Sequence, residues 1–159
     1  VLLLSLPLRH DNENTGAHWR HMYRPRVLLA EDHAETAERL RKLLRADFDV
    51  IASVEDGDAL VDAAERLSPD VIVTDIAMPG VDGIEAVTLI RRHNPNARIV
   101  LVTVHSELML VEAGLAAGAL GYILKDTAGD ELVPAVRAAL GGHQYVSREI
   151  DGFERETEN

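Results

Sequence analysis

The 159 residues suffice for one domain with a remainder, and 47% hydrophobic against 27% charged residues is a globular balance that allows a sizeable core. A net charge of -11, from 16 basic and 27 acidic residues, argues against a broad nucleic-acid footprint, which needs a basic face. Cysteine is absent, which excludes disulfides and thiol chemistry and fits a reducing interior.

In chain order, the first stretch is Val1-Leu2-Leu3-Leu4-Ser5-Leu6-Pro7-Leu8. No basic segment precedes it, and Arg9, His10 and Asp11 follow at once. It reads as neither a signal peptide nor a membrane span, so a cytoplasmic protein is expected. Val1 in place of Met suggests an unusual or mis-assigned start codon. Residues 1–25 carry no apolar period and read as a disordered leader. Within it, His18 and His21 have a spacing that suits a metal, but without companion ligands they read as solvated.

From Arg26 a pattern begins and repeats. Val27–Ala30, Val50–Val54, Val71–Thr74, Ile99–Val104 and Gly121–Leu124 are short runs rich in Val and Ile that do not alternate. Strands buried on both faces of a parallel sheet look like this. Helical spacing lies between them, marked by Ala37, Leu40, Leu43 and Leu44, then Ala59, Leu60, Ala63, Ala64 and Leu67. Ile84, Val87 and Ile90 mark the third helix, Leu108, Val111 and Leu115 the fourth, and Leu132, Val136 and Leu140 the fifth. Asp56-Gly57 and Gly129-Asp130 read as helix starts and Gly141-Gly142 as a stop. Pro134 is expected in about the first turn of the last helix, where a missing N–H matters least.

Five β-then-α units predict an α/β fold, a doubly wound five-stranded parallel sheet with helices on both faces. Ligands of such sheets sit at the carboxyl ends of the strands. There the sequence places Glu31-Asp32 after the first strand, Asp75 after the third, Thr103 near the end of the fourth and Lys125 after the fifth. The second strand contributes nothing comparable, as expected at an edge.

Three carboxylates in one pocket repel one another unless neutralised, and an all-oxygen set suits Mg²⁺. With a metal bound, Asp75 can act as a nucleophile toward phosphorus. Lys125, and the Thr103 hydroxyl or a backbone N–H, could take other phosphoryl oxygens. Simpler readings stand beside this one. Glu31-Asp32 could cap the first helix, Thr103 and Tyr122 could be ordinary strand residues, and Lys125 could be a solvated surface lysine. His105 reads as a modulator of phosphoryl lifetime beside the pocket, and Gly80 and Gly83 as turn and helix-start residues.

The segments "LLAEDH" (Leu28 to His33), "VTDIAMPGVDG" (Val73 to Gly83), "LVTVH" (Leu101 to His105) and "GYILKD" (Gly121 to Asp126) together resemble the receiver domain of two-component response regulators, the CheY-like family. The similarity covers about residues 26–142. "VTVH" and "GYILKD" most resemble receivers attached to LuxR/NarL-type helix-turn-helix domains. The resemblance implies a flavodoxin-like (βα)5 fold with strand order 2-1-3-4-5. It implies Asp75 as phosphoacceptor from a histidine kinase or phosphotransfer protein, and Mg²⁺ held by Glu31, Asp32, Asp75 and the backbone carbonyl of Ala77. It implies further that Lys125 pairs with the phosphoryl group, and that Thr103 and Tyr122 are switch residues that move together. A homodimer formed on phosphorylation, through the first and last helices, is compatible with it. Glu31 stands where the family often has Asp.

Three functions compete. The first is a phosphorylation switch whose signal leaves through a protein-interaction surface, with residues 143–159 as an acidic tail and no direct contact with nucleic acid or membrane. The second is the receiver half of a truncated LuxR/NarL-type DNA-binding regulator, "HQYVS" (His143 to Ser147) resembling the entry to its linker. The third is a haloacid-dehalogenase-like phosphatase, which needs a general acid two residues after its nucleophile. Ala77 stands there and cannot transfer a proton. The expected protein is therefore not an enzyme beyond slow self-dephosphorylation.

Overall fold

Strand β1, Arg26–Ala30, is buried between β2 and β3 because its RVLLA run is apolar toward both faces. The computed structural model describes residues 23–155, so His18 and His21 lie outside the described residues. After β1 come α1 (Ala34–Leu44), β2 (Asp49–Val54), α2 (Gly57–Leu67), β3 (Val71–Thr74) and α3 (Gly83–His93). The chain continues through β4 (Ile99–Thr103), α4 (Leu108–Ala117), β5 (Gly121–Leu124), a 3-10 turn at Lys125–Thr127, α5 (Ala128–Leu140) and β6 (Tyr145–Val146).

All strand pairings are parallel, and the sheet order is β2-β1-β3-β4-β5-β6. The expected order 2-1-3-4-5 is therefore found, with one strand added outside β5. That strand lies where a tail is expected from the sequence. Two residues are too few to show a period, and β6 becomes visible only through its pairing of Tyr145 with Gly121 and Val146 with Tyr122.

Alternate residues of the central strands point to opposite faces and build two cores. Leu28, Ile72, Leu101 and Tyr122 pack with α2, α3 and α4. Val27, Leu29, Val73, Val100 and Ile123 pack with α1 and α5. β2, at the other margin of the sheet, is only partly buried.

Local chemistry sets the element ends. Asp56 caps α2 by accepting from the Ala59 N–H at 2.7 Å, and Asp82 caps α3 through the Glu85 N–H at 2.9 Å. Gly118, at φ 118°, terminates α4 in the left-handed region. β4 stops one residue earlier than the sequence suggests, because Val104 turns out of the sheet and is 69% exposed.

α5 begins at Ala128, so Pro134 lies at its seventh residue rather than in its first turn. The carbonyl that loses its partner there belongs to exposed Asp130, where water can take the N–H's place. Among the described residues no helix is long and apolar enough to cross a membrane.

Candidate functional site

The carboxyl ends of β1, β3, β4 and β5 lie side by side and carry the residues singled out from the sequence. Glu31 follows β1, is 2% exposed, and its main-chain N–H bonds to the Val54 carbonyl at 3.0 Å. Asp75 follows β3, is 4% exposed, and is fixed by its own N–H donating to the Ala30 carbonyl at 3.0 Å. Lys125 is delivered by the turn after β5. Its ammonium lies 2.7 Å from Asp75 Oδ2 and 2.9 Å from Glu31 Oε2, joining three strand ends in one contact.

The second oxygen of Asp75 is held by its own loop. Oδ1 accepts from the Ile76 N–H at 2.7 Å and from the Ala77 N–H at 3.4 Å. Thr74 adds a bond that the sequence does not announce, its hydroxyl donating to the Asp75 carbonyl at 2.9 Å. Behind the loop, α3 starts against Asp75. A Cβ on Gly83 would stand 2.0 Å from the Asp75 carbonyl oxygen, so only glycine fits. Gly80 shapes the intervening turn at φ 72°.

Glu31 and Asp32 do not cap α1. His33 is its N-cap residue, and the His33 side chain makes no capping hydrogen bond to that helix start. Glu31 Oε1 instead accepts from the His33 N–H at 3.1 Å, and His33 Nδ1 sits 3.1 Å from both Glu31 Oε1 and Asp32 Oδ1. Asp32 Oδ1 is buried yet accepts no hydrogen bond among the described residues. A buried carboxylate oxygen in that state is costly and calls for a cation.

Burial acts to lower the pKa of Lys125, but hydrogen bonds to Asp75 and then Glu31 outweigh it and raise the pKa above its ordinary value. The ammonium is thus fixed in its charged form. Even so, one ammonium faces two carboxylates, and Asp32 and His33 cluster with Glu31 on the outer side. The pocket keeps an excess of negative charge made of hard oxygen donors, and such a set fits Mg²⁺.

The predicted switch residues meet beside the pocket. Thr103 is fully buried at the end of β4, and its Oγ1 accepts from the His105 N–H at 3.2 Å. Tyr122 is fully buried in β5 and donates its hydroxyl to the His105 carbonyl at 2.7 Å. Burial, then the charges of Glu107 and Asp75, push the Tyr122 phenol up to about 12. The His105 ring faces Glu107, with 3.7 Å from Nδ1 to Oε2.

Some contributors escape sequence reasoning. His33 lies within the quoted "LLAEDH" run, and only the fold shows its ring over both acids. Ser147 and Glu131 are buried polar residues close to Lys125, joined by a 2.9 Å hydrogen bond. The burial of Glu131 at a helical core position is the signal that could have found it.

Comparison with known proteins supplies the context. Residues 27–137 match the response regulator receiver domain family. The chain is 41% identical over 119 residues to the uncharacterized transcriptional regulatory protein YxjL of Bacillus subtilis (strain 168), covering 74% of this chain and 55% of that protein. It spans between 53% and 62% of the length of YxjL and the next two curated relatives. Among solved structures, a LuxR-family two-component response regulator from Aurantimonas sp. SI85-9A1 superposes with a TM-score of 0.77 at 33% identity, covering 80% of this chain and 93% of that one. The isolated receiver of RcsB from Salmonella enterica serovar Typhimurium, solved with the phosphomimetic BeF3⁻, gives 0.74 at 28% identity, covering 80% of this chain and 96% of that one. A parallel sheet wound in this order, an acidic pocket at its strand ends and a family match over 27–137 lead to one conclusion: this chain belongs to the response regulator receiver domain family.

Proposed function

We propose that Asp75 accepts a phosphoryl group from a histidine kinase or phosphotransfer protein of the cytoplasm, and that this switches a protein-interaction surface. The observation that carries the reading is the Lys125 ammonium held between Asp75 and Glu31 at the end of three strands. It supports a phosphoryl site because the same ammonium can neutralise oxygens brought in by a phosphate.

In the transfer, a carboxylate oxygen of Asp75 attacks phosphorus and a P–O bond forms. The P–N bond of the donor phosphohistidine breaks, and the departing imidazole nitrogen takes a proton from solvent. The Ile76 and Ala77 N–H groups orient the Asp75 carboxylate through Oδ1. Lys125 stays protonated and offsets the charge of the incoming group. The Thr103 oxygen already accepts from the His105 N–H, so its own O–H is free to donate to a phosphoryl oxygen. Glu31, Asp32, Asp75 and the Ala77 carbonyl would hold Mg²⁺. When bound, that ion supplies Lewis-acid neutralisation of phosphoryl oxygens.

Ala77 carries no transferable proton, which favours a long-lived phosphoryl group over enzymatic turnover of external esters. A second reading is favoured by relatives described as transcriptional regulatory proteins. In it the receiver governs DNA binding by sequence other than residues 23–155, and dimerisation follows phosphorylation. The acidic balance of the chain supports assigning no DNA contact to the receiver itself.

The test is incubation with acetyl phosphate and Mg²⁺ followed by intact mass. The native chain should gain one phosphoryl group and Asp75→Asn none. Equal gain in both would remove Asp75 as the acceptor.

A further inference from the structure

Leu124, the residue before Lys125, has both main-chain polar groups held by side chains. Its N–H donates to Ser147 Oγ at 3.1 Å, and its carbonyl accepts from Thr127 Oγ1 at 3.3 Å. Ser147 Oγ lies 2.9 Å from Glu131 Oε2 and 3.2 Å from Thr127 Oγ1. Ser147 is fully buried and Glu131 is 7% exposed, so this is an interior polar clamp.

Its direction is set by proton count. Ser147 has one hydroxyl proton, which it donates to Glu131 Oε2, so its lone pairs face the Leu124 N–H. A hydrogen bond to a buried carboxylate is among the stronger kinds. The Ser147 N–H also donates to the Tyr122 carbonyl at 2.9 Å. One residue therefore grips β5 on both sides of Ile123, directly ahead of the lysine that meets Asp75.

The segment after β6 holds Ser147 in turn. The Ser147 carbonyl accepts from the Ile150 N–H at 3.2 Å and from the Arg155 guanidinium. Ile150 is 2% exposed, and Phe153 packs beside it against the core that contains Tyr122 and Val111.

We propose that Ser147 is a positioning residue for Lys125, through which the seating of residues 145–155 sets the reactivity of Asp75. The inference rests on the phosphoacceptor reading above. Loss of the clamp frees the end of β5, and the Lys125 ammonium loses its fixed approach to Asp75. A misplacement of about 1 Å at a transfer site can slow reaction by about a hundredfold, and a smaller one by correspondingly less.

The test uses the full chain and two readouts, the rate of labelling by acetyl phosphate with Mg²⁺ and the ¹⁵Nζ resonance of Lys125. Lys42 and Lys125 are the chain's two lysines, and Lys42 on α1 serves as the internal reference. Ser147→Ala should label about tenfold more slowly and shift the Lys125 resonance while Lys42 stays. Labelling at the native rate overturns the proposal. Slower labelling with an unmoved Lys125 resonance also overturns it, because Ser147 would then act by another route. If the native chain is not labelled at all, the phosphoacceptor reading fails and takes this inference with it. Should Ser147→Ala fail to fold, Thr127→Val removes the hydroxyl on the Leu124 carbonyl at a half-buried site. The same two effects are expected of it, and native behaviour in that variant overturns the proposal.

Discussion

The Tyr122 hydroxyl donates to the His105 carbonyl at 2.7 Å, tying β5 to the loop after β4, where the His105 N–H donates to Thr103 Oγ1 at 3.2 Å. The two switch candidates are therefore linked by hydrogen bonds through the main chain of one residue, His105. Tyr122→Phe keeps the buried ring and removes only this bond, leaving the His105 carbonyl to find water. A loss of about 1 kcal/mol is expected in urea unfolding, with acetyl-phosphate labelling retained. Loss of labelling would place the hydroxyl inside the chemistry instead.

Lys125 balances two carboxylates that are almost fully buried. Lys125→Ala leaves both without their cation. Removing one partner of a buried ion pair typically costs about 3–5 kcal/mol. A shift of the urea midpoint corresponding to less than about 1 kcal/mol would mean that water already screens the pair.

The pH dependence follows from the same two residues. The Tyr122 phenol is pushed up to about 12 from 10.0, and Lys125 also lies above its ordinary value. Both hold their protons more tightly in the folded chain than in the unfolded one. Their contribution is full below about pH 10 and is lost as pH rises through the folded values. Urea midpoints should thus fall as pH rises from about 10, the ordinary tyrosine value, toward the raised value of about 12. The fall should be shallower in Tyr122→Phe, and equal slopes would exclude Tyr122 as a cause.

Asp32 carries a buried carboxylate oxygen whose polar contact among the described residues is the His33 ring. Mg²⁺ at tenfold excess over its Kd should stabilise the native chain by about 1.4 kcal/mol in thermal unfolding. Asp32→Asn should show little of that gain. An equal gain in the variant would exclude Asp32 as a ligand.

Gly83 permits α3 to start against the Asp75 main chain. A Cβ there would meet the Asp75 oxygen at 2.0 Å and Ile76 Cα at 2.8 Å, both main-chain atoms that cannot swing aside. Gly83→Ala should therefore destabilise by about 2 kcal/mol or more and slow labelling at the same time. Native labelling at unchanged stability would show that the loop yields without cost.

The central strands are legible in the sequence because burial on both faces leaves Val27–Ala30, Val71–Thr74 and Ile99–Thr103 unbroken by polar residues. Placing acids and a lysine at the ends of those runs then follows from the parallel order alone. Other features depend on distant pairing and carry no local trace. Tyr145-Val146 shows no period, and its strand exists because β5 offers an open row of main-chain groups. The start of α5 is displaced by a 3-10 turn that brings Lys125 inward, so glycine at 129 misleads. His33 carries no local sign of its place until the fold brings its ring within 3.1 Å of Glu31 and Asp32.

β6 also has a colloidal consequence. The Leu120 and Tyr122 carbonyls accept from the Tyr145 and Ser147 N–H groups, and the Leu124 N–H is taken up by Ser147. A chain cut after residue 142 would bare all three along one flank, a ready template on which another molecule could add a strand. Shortened forms should self-associate more readily than the longer chain, which light scattering at matched concentration would show.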